Sequence, residues 1–404
     1  MTLTGCNSRY VNPKACVSGA IGCLFLSGFG LSPSQAGEWS NNTHVSSKIE
    51  FDDNYQLLPD SNGGVLLWTN EVYTDFIYKT HDSQFDLIGD LIRKDYWGEG
   101  SNGLSNDFFP RLEAKYFKGG KRTDFNLGAA YAVEFLPPND LETGTIDTPA
   151  TSGNSTKTSL NANAAVTHRI DLSDSIRLAA ALSDATYTGE GTDNVSADTS
   201  LIWTRKMTRR TEGKLNFGFN YVGLNDAPNT DRYLYTAKTE IESRLTKRLT
   251  VNAGIGVNLV DSRKTDLNPG GARSSQMRTG YIFEAGLDYH LKTLSLSLDG
   301  NYGTQASALG DLEEQASLNA TVTKSINDLS SASVSITASR TRTFDGAKNE
   351  EIRGLTISPT YSRQLARNWD LLAGYKFSLK DSQAGTATSN NIFISLTRNF
   401  ASAP

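Results

Sequence analysis

His44, His81, His168 and His290 are the only histidines in the chain, and its three cysteines, Cys6, Cys16 and Cys23, all lie in the first 23 residues. A zinc centre needs closely spaced imidazole and thiolate ligands, and these residues supply no such set. A Ser/His hydrolase would need a histidine and a serine brought together from distant segments. His168 and His290 fall beside short polar runs, where capping or an interfacial position is the simpler reading. The acidic, glycine-rich runs GEGSNG at 98–103 and GEGTDN at 189–194 share the composition of calcium loops but read as flexible turns. No glycine motif for phosphates or dinucleotides is present. The expectation is a protein with no enzymatic activity, no cofactor and no metal.

The strongest chemical signal is charge that recurs at every second position. Lys48, Glu50 and Asp52 form one such row, Arg111, Glu113 and Lys115 a second, and Lys238, Glu240, Glu242 and Arg244 a third; Arg278, Glu284 and Asp288 share one phase of a further segment. On a strand, residues two apart point to the same face, so these rows read as charged ladders. The bland interpretation is a solvated wall of self-balancing charge. The functional one is the lining of a channel that conducts a hydrated polar solute.

The elements that position these rows show the same period. In KLNFGFNYV, Leu215, Phe217, Phe219 and Tyr221 alternate with Lys214, Asn216, Gly218 and Asn220; LTVNAGIGVNLV from Leu249, ASVSITAS from Ala332 and WDLLAGYKFSL from Trp369 repeat the pattern. Alternation of this kind marks strands with one apolar and one polar face. It predicts an all-β chain of about eighteen strands, at 45–57, 65–79, 84–97, 107–118, 121–136, 157–170, 174–188, 194–207 and 209–223. The second half continues at 232–245, 247–262, 276–291, 293–304, 312–327, 330–343, 350–366, 368–380 and 388–400. Longer connections, from LPDSNGG through the stretch 137–158 to DSQAGTA, alternate with short ones such as THDS, KGGK, DLSD and ARN. Strict parity of that sort predicts a transmembrane antiparallel up-and-down barrel, with long loops on one rim and tight turns on the other. Aromatic residues near segment ends predict two girdles: Tyr78, Tyr116, Phe117, Trp203, Tyr289 and Trp369 by the short turns, and Tyr55, Trp97, Tyr187, Tyr221 and Tyr302 by the long loops. Most aromatics fall outside the lumen phase, with Tyr73, Tyr96 and Phe393 as inward exceptions, so a narrow sugar-binding slide is not evident. The stretch 137–158 is the candidate constriction.

Composition agrees. The chain of 404 residues carries 39 Lys+Arg against 44 Asp+Glu, a net charge of -5, and lacks the clustered basic residues that nucleic-acid binding requires. Its only long apolar run, Ala15 to Leu31, is short for a membrane helix. With Arg9 and Lys14 before it and Ser34-Gln35-Ala36 after it, it reads as a secretory signal peptide spanning 1–36, leaving a single barrel domain at 37–404 without a thiol. A rival reading makes Cys23, in Ala20-Ile21-Gly22-Cys23, a lipidated N-terminus.

The segment 361–400 carries Ser362-Arg363-Gln364-Leu365, Trp369-x-Leu371-x-x-Gly374-Tyr375 and Ser389-Asn390-Asn391-Ile392. It resembles the closing hairpins of outer-membrane β-barrels encoded with exopolysaccharide synthesis and export genes in Gram-negative bacteria. Arg398, where such terminal strands are usually apolar, and the trailing Ala401-Ser402-Ala403-Pro404 depart from that pattern. The resemblance implies an outer-membrane channel that exports polysaccharide, with outer-membrane lipid around it and a periplasmic export protein as partner. A passive porin for small polar solutes and a plugged structural barrel are the alternatives.

Overall fold

The computed structural model describes residues 37–101, 104, 106–135, 155–188, 192–225, 229–265, 273–306, 312–343 and 351–402. The stretch 1–36, expected to be a signal peptide, with its three cysteines, and nearly all of the candidate constriction lie outside them. Eighteen strands run in chain order: β1 (Glu38–Asp52), β2 (Val65–Lys79), β3 (Ser83–Trp97), β4 (Asp107–Lys118), β5 (Thr123–Phe135), β6 (Thr156–Arg169), β7 (Asp174–Thr188), β8 (Asn194–Lys206) and β9 (Thr211–Leu224). They continue as β10 (Asn229–Arg244), β11 (Leu249–Thr265), β12 (Arg273–His290), β13 (Leu294–Ala306), β14 (Leu312–Asn327), β15 (Ser330–Thr343), β16 (Glu351–Ala366), β17 (Trp369–Ser382) and β18 (Gly385–Ser402). A single 3-10 turn, Glu99–Ser101, lies between β3 and β4.

Each strand pairs antiparallel with its sequence neighbours, and β1 pairs with both β2 and β18, so the sheet closes. Closure satisfies the backbone groups that an open edge would leave unpaired in hydrocarbon. The seam runs from Asn41 opposite Ser402 to Asp52 opposite Asn391. Its end at the long-loop rim is latched by side chains. Ser389 Oγ donates to Asp52 Oδ1 (2.7 Å), and Asn390 donates to Asp53 from its backbone N–H and its side-chain amide (both 2.7 Å).

Register sorts the faces. One phase of each strand carries the exposed apolar residues, among them Ile49, Phe51, Leu112, Leu178, Phe217, Ile255, Phe283, Ile336 and Ile392. In a soluble protein such a surface would be costly, but as a continuous outer band it is the lipid face of a barrel. Its edges are aromatic. Trp39 packs on Tyr78 (centroids 4.6 Å) and Trp203 donates from Nε1 to Asp174 (3.0 Å) at the short-turn rim; Trp68 stacks near Trp97 (6.4 Å) at the other. Arg398 lies on this outer face with its guanidinium over the Trp369 and Phe400 rings (5.4 and 4.7 Å). Tyr55, Phe117 and Tyr187, expected in the girdles, belong instead to inner positions.

Most strand bounds shift by a few residues from the sequence expectation, and the largest shift is at β1. β1 begins at Glu38 and ends at Asp52, although EWSNNTH has no apolar alternation. Its partners β2 and β18 supply the ladder that local pattern does not. Residues 53–58 leave the strand because Asn54 ties a turn, its side chain bonding Leu58 O (2.8 Å) and Thr388 O (2.9 Å), and Leu57 adopts a positive φ of 48° over Ala387. The β17–β18 connection, read as a longer loop in DSQAGTA, is a tight turn. Both strands extend to meet it, and Gly385 takes a φ of 123° that side-chain-bearing residues rarely adopt.

Candidate functional site

The inner face is the candidate site, and it divides into four sectors. In the first, β1–β4, Lys48, Glu50 and Asp52 occupy one inner row, and Arg111, Glu113 and Lys115 another. Lys48 contacts Glu50 and sits over the Phe393 ring (4.7 Å). Glu113 lies between two cations, with Arg111 at 2.8 Å and Lys115 at 3.0 Å. Asp52 is buried and has no ion pair among the described residues; Ser389, Asn391 and the Asn54 N–H donate to it instead. Where the seam, β2, β3 and β17 meet, a niche of about 470 Å³ is lined by Lys48, Asp52, Tyr55, Lys94, Lys376 and Phe393 among others.

The opposite side of the barrel, β9–β12, holds the second charged sector. Lys238 is its hub, reaching Glu240 on its own strand (2.6 Å) and Glu284 on β12 (2.9 and 3.0 Å). Two interstrand spacings separate β10 from β12, roughly 10 Å, and the chain that lies between must present no bulk. Gly254 and Gly256 on β11 provide that gap. A Cβ at Gly256 would stand 3.0 Å from Lys238 Cβ, and one at Gly254 would stand 3.3 Å from Glu284 Oε2. Lys214 lies 3.8 Å from Glu212 and 3.7 Å from Glu242. Arg244 and Asp288 share the inner rows near the short-turn rim and join no ion pair among the described residues. Arg278 shares its row with Glu284 but lies three inner positions nearer the long-loop rim, opposite Val260, with Gly280 and Ile282 between them, so 278, 284 and 288 do not act as one ladder.

Between these lie two walls that carry fewer charges. Across β5–β8 many mid-strand inner positions are small: Gly128, Ala130, Ala165, Ala179, Ala181 and Ser200 leave a recess of about 650 Å³ toward β10, whose lining also includes Arg177 and Asp198. Across β14–β16 the inner positions are mostly hydroxyls, with Gln315 and Asn319 among them on β14. Seven successive inner positions of β15, Ser331, Ser333, Ser335, Thr337, Ser339, Thr341 and Thr343, are all serine or threonine, and Thr356, Ser358, Thr360 and Ser362 face them on β16. Ser331 bonds Ser362 and Ser333 bonds Thr360 (both 2.7 Å), and Thr321 on β14 bonds Ser335 (3.0 Å). Toward the long-loop rim the hydroxyls of Ser339, Thr341 and Thr356 are buried without a partner among the described residues.

This hydroxyl wall was missed from sequence. The apolar phase of ASVSITAS predicts the strand, whereas the signal for the wall lies in the identity of the other phase. The inner aromatic set is also larger than expected. Besides Tyr73, Tyr96 and Phe393, Tyr55 packs on Tyr96 (5.7 Å), and Phe135 packs on Tyr96 (5.9 Å) and Phe109 (6.0 Å) beneath the Lys94 ammonium. Phe135 has the outward phase of β5, yet the strand end turns it inward. Burial, with Tyr96 beside it, raises the Tyr55 phenol well above its ordinary value.

His168 accepts or donates one hydrogen bond with Thr123 (2.9 Å) at the short-turn rim, and His44 stacks on Tyr73 (4.7 Å). Among the described residues no group of three or more metal-ligating side chains converges.

No protein-family model matches the sequence, and no curated protein does. Solved structures do. OccK9 (OpdG) of Pseudomonas aeruginosa is 11% identical with a TM-score of 0.52, covering 90% of this chain and 99% of its own. OpdK of the same organism, solved with vanillate, is 9% identical with a TM-score of 0.52 over 90% and 99%, and OpdQ is 8% identical with a TM-score of 0.50 over 90% and 98%. At such identities the likeness is one of fold. The chain is an outer-membrane, multi-pass β-barrel. That placement follows from the closed eighteen-strand sheet, the apolar outer band and the full-length match to outer-membrane barrels, and it assigns the long-loop rim to the cell exterior and the tight turns to the periplasm.

Proposed function

We propose that the protein is a porin-type channel that lets small polar solutes diffuse across the outer membrane. The observation that carries this reading is the inner face. Two charged sectors stand opposite one another, separated by a small-residue wall and a hydroxyl wall, and strand packing follows the ladder around the barrel. An eighteen-strand barrel is wide enough for an aqueous lumen, and the described strands all belong to its wall. Charges of both signs held in ion pairs keep water in the lumen without fixing one sign of solute. The rows at Lys48, Glu50 and Asp52, at Arg111, Glu113 and Lys115, at Lys238, Glu240, Glu242 and Arg244, and at Arg278, Glu284 and Asp288 line this path.

The test is conductance of the purified barrel in a planar bilayer, with swelling of liposomes in neutral sugars of rising size. Stepwise conductance and size-limited swelling support the channel. A folded barrel that gives neither is plugged.

Export of a polysaccharide, with a periplasmic export protein as partner, is the second reading. Two observations favour it: the resemblance of the 361–400 hairpins to barrels of exopolysaccharide loci, and a hydroxyl wall able to exchange hydrogen bonds with a sugar chain. Deletion of the gene separates the two. Loss of surface polymer, restored by a plasmid copy, selects export; normal polymer with solute conductance selects the diffusion channel.

A further inference from the structure

Charge also occurs on the outer face, where the channel reading has no use for it, and there it gathers at the exterior rim. Arg340 on β15 and Arg353 on β16 are directly opposite in register. They share the outward phase of Val334, Ile336, Leu355 and Ile357, and each lies within three residues of its strand's exterior end. Like charges directly opposite across a strand pair repel. Glu351 relieves part of this, accepting from Arg340 Nη2 (2.9 Å) and Arg353 Nε (2.7 Å). One carboxylate serves two guanidiniums whose side chains remain 53% and 64% exposed. Arg342 is opposite Glu351 and Glu314 in the same phase, and Asp381 is opposite Arg353.

The same construction recurs elsewhere on the rim. Arg263 forks onto Asp261 (2.7 and 2.9 Å) and lies over the Tyr233 ring (4.8 Å); Arg93 forks onto Asp95 (2.9 to 3.2 Å) and lies over Phe108 (5.2 Å). In both, the arginine is half exposed and the carboxylate largely buried. A carboxylate on one side and a ring alongside restrain each guanidinium, whose five N–H donors exceed those the carboxylate takes.

We propose that the Arg340–Glu351–Arg353 cluster docks a phosphate group of an outer-leaflet lipid, and that Arg93 and Arg263 hold neighbouring lipids in the same belt. The level selects the partner. These arginines cap the apolar band on the exterior side, where the anionic headgroups of phosphorylated glycolipid lie. A planar guanidinium matches phosphate through paired N–H donors, and preorientation by Glu351 lowers the entropy lost on binding. The acidic neighbours leave the cluster without a broad positive field, so recognition depends on close contact with a phosphate rather than on steering.

The test uses the full-length barrel in mild detergent, titrated with bis-phosphorylated lipid A, with lipid A stripped of both phosphates, and with inorganic phosphate, bound lipid being read by native mass spectrometry. The expected result is retention of bis-phosphorylated lipid A and a loss of at least tenfold in its binding by R340Q/R353Q, with R209Q, on the periplasmic rim, unchanged. Heat-modifiable gel migration shows that each variant is folded. Equal binding of the dephosphorylated lipid, unchanged binding by folded R340Q/R353Q, or displacement by inorganic phosphate at similar concentration would each overturn the proposal.

Discussion

The β10–β12 wall and the β14–β16 wall share one architecture and differ in chemistry. Both alternate strictly, and both present apolar residues to lipid. In the first, long charged side chains meet over an intervening strand, so that strand must be bare; Gly254 and Gly256 make the Lys238–Glu284 contact geometrically available. In the second, short hydroxyls reach only the adjacent strand, as Ser331 reaches Ser362 and Ser333 reaches Thr360, and no glycine gap is needed. The outer phase fixes the barrel, whereas the inner phase is free to vary, and the length of its side chains decides which strands it couples.

The largest effect should come from filling the gap. Gly256→Val places a Cβ 2.7 Å from the Ala237 carbonyl and 3.0 Å from Lys238 Cβ, so backbone must move. Overpacking of this kind costs about 1–3 kcal/mol, and the folded band in a heat-modifiability gel should weaken. Ser333→Val, on the hydroxyl wall, should not reduce that band comparably; if it did, the difference between the walls would not lie in crossing side chains.

Lys238→Met should leave the barrel folded and uncover Glu240 and Glu284, so the channel becomes several-fold more cation-selective, read as reversal potential in a salt gradient. Neutralising Arg111, Glu113, Lys238 and Glu240 together should change conductance while folding is nearly intact, because lumen substitutions mainly tune selectivity. Unchanged ion and sugar flux would demote these rows to solvated wall.

Alanine at Ser331, Ser333, Thr360 and Ser362 removes both partners of two hydrogen bonds, which is nearly neutral for stability, within about 1 kcal/mol. Ion selectivity should stay fixed while uptake of neutral sugar into liposomes slows. The smallest effect is at the β6–β7 turn. The Ser173 hydroxyl and the Ser173 and Asp174 N–H groups donate to Asp171 and hold its carboxyl below the usual range. Its contribution is whole above the unfolded carboxylate value and fades as pH falls through the lowered folded one. Asp171→Asn should flatten the acid limb of an unfolding titration slightly.

Much of the fold was legible because alternation is a local property: Leu215 to Tyr221 show their apolar phase in the order of the chain. The charged rows were legible for the same reason, since residues two apart share a face wherever the strand goes. The start of β1 was not. Glu38 to His44 pair through partners at 73–79 and 399–402, which no local pattern reveals. Tyr55, expected in a girdle, lies in a turn, where the period of two does not hold, and Phe117 shares the inner phase of Arg111, Glu113 and Lys115.

By itself, then, the sequence determined the strand count, the lipid phase, and which residues share an inner row, because all three follow from the spacing of apolar and polar side chains along one strand. Only the tertiary structure decided which rows stand side by side. Register between strands placed Glu284 within reach of Lys238 over a glycine gap, set Ser331 against Ser362, and brought Arg340 opposite Arg353 on the outer face. Those contacts depend on how strands remote in sequence align across the sheet, and closure of β1 on β18 fixes that alignment around the whole barrel.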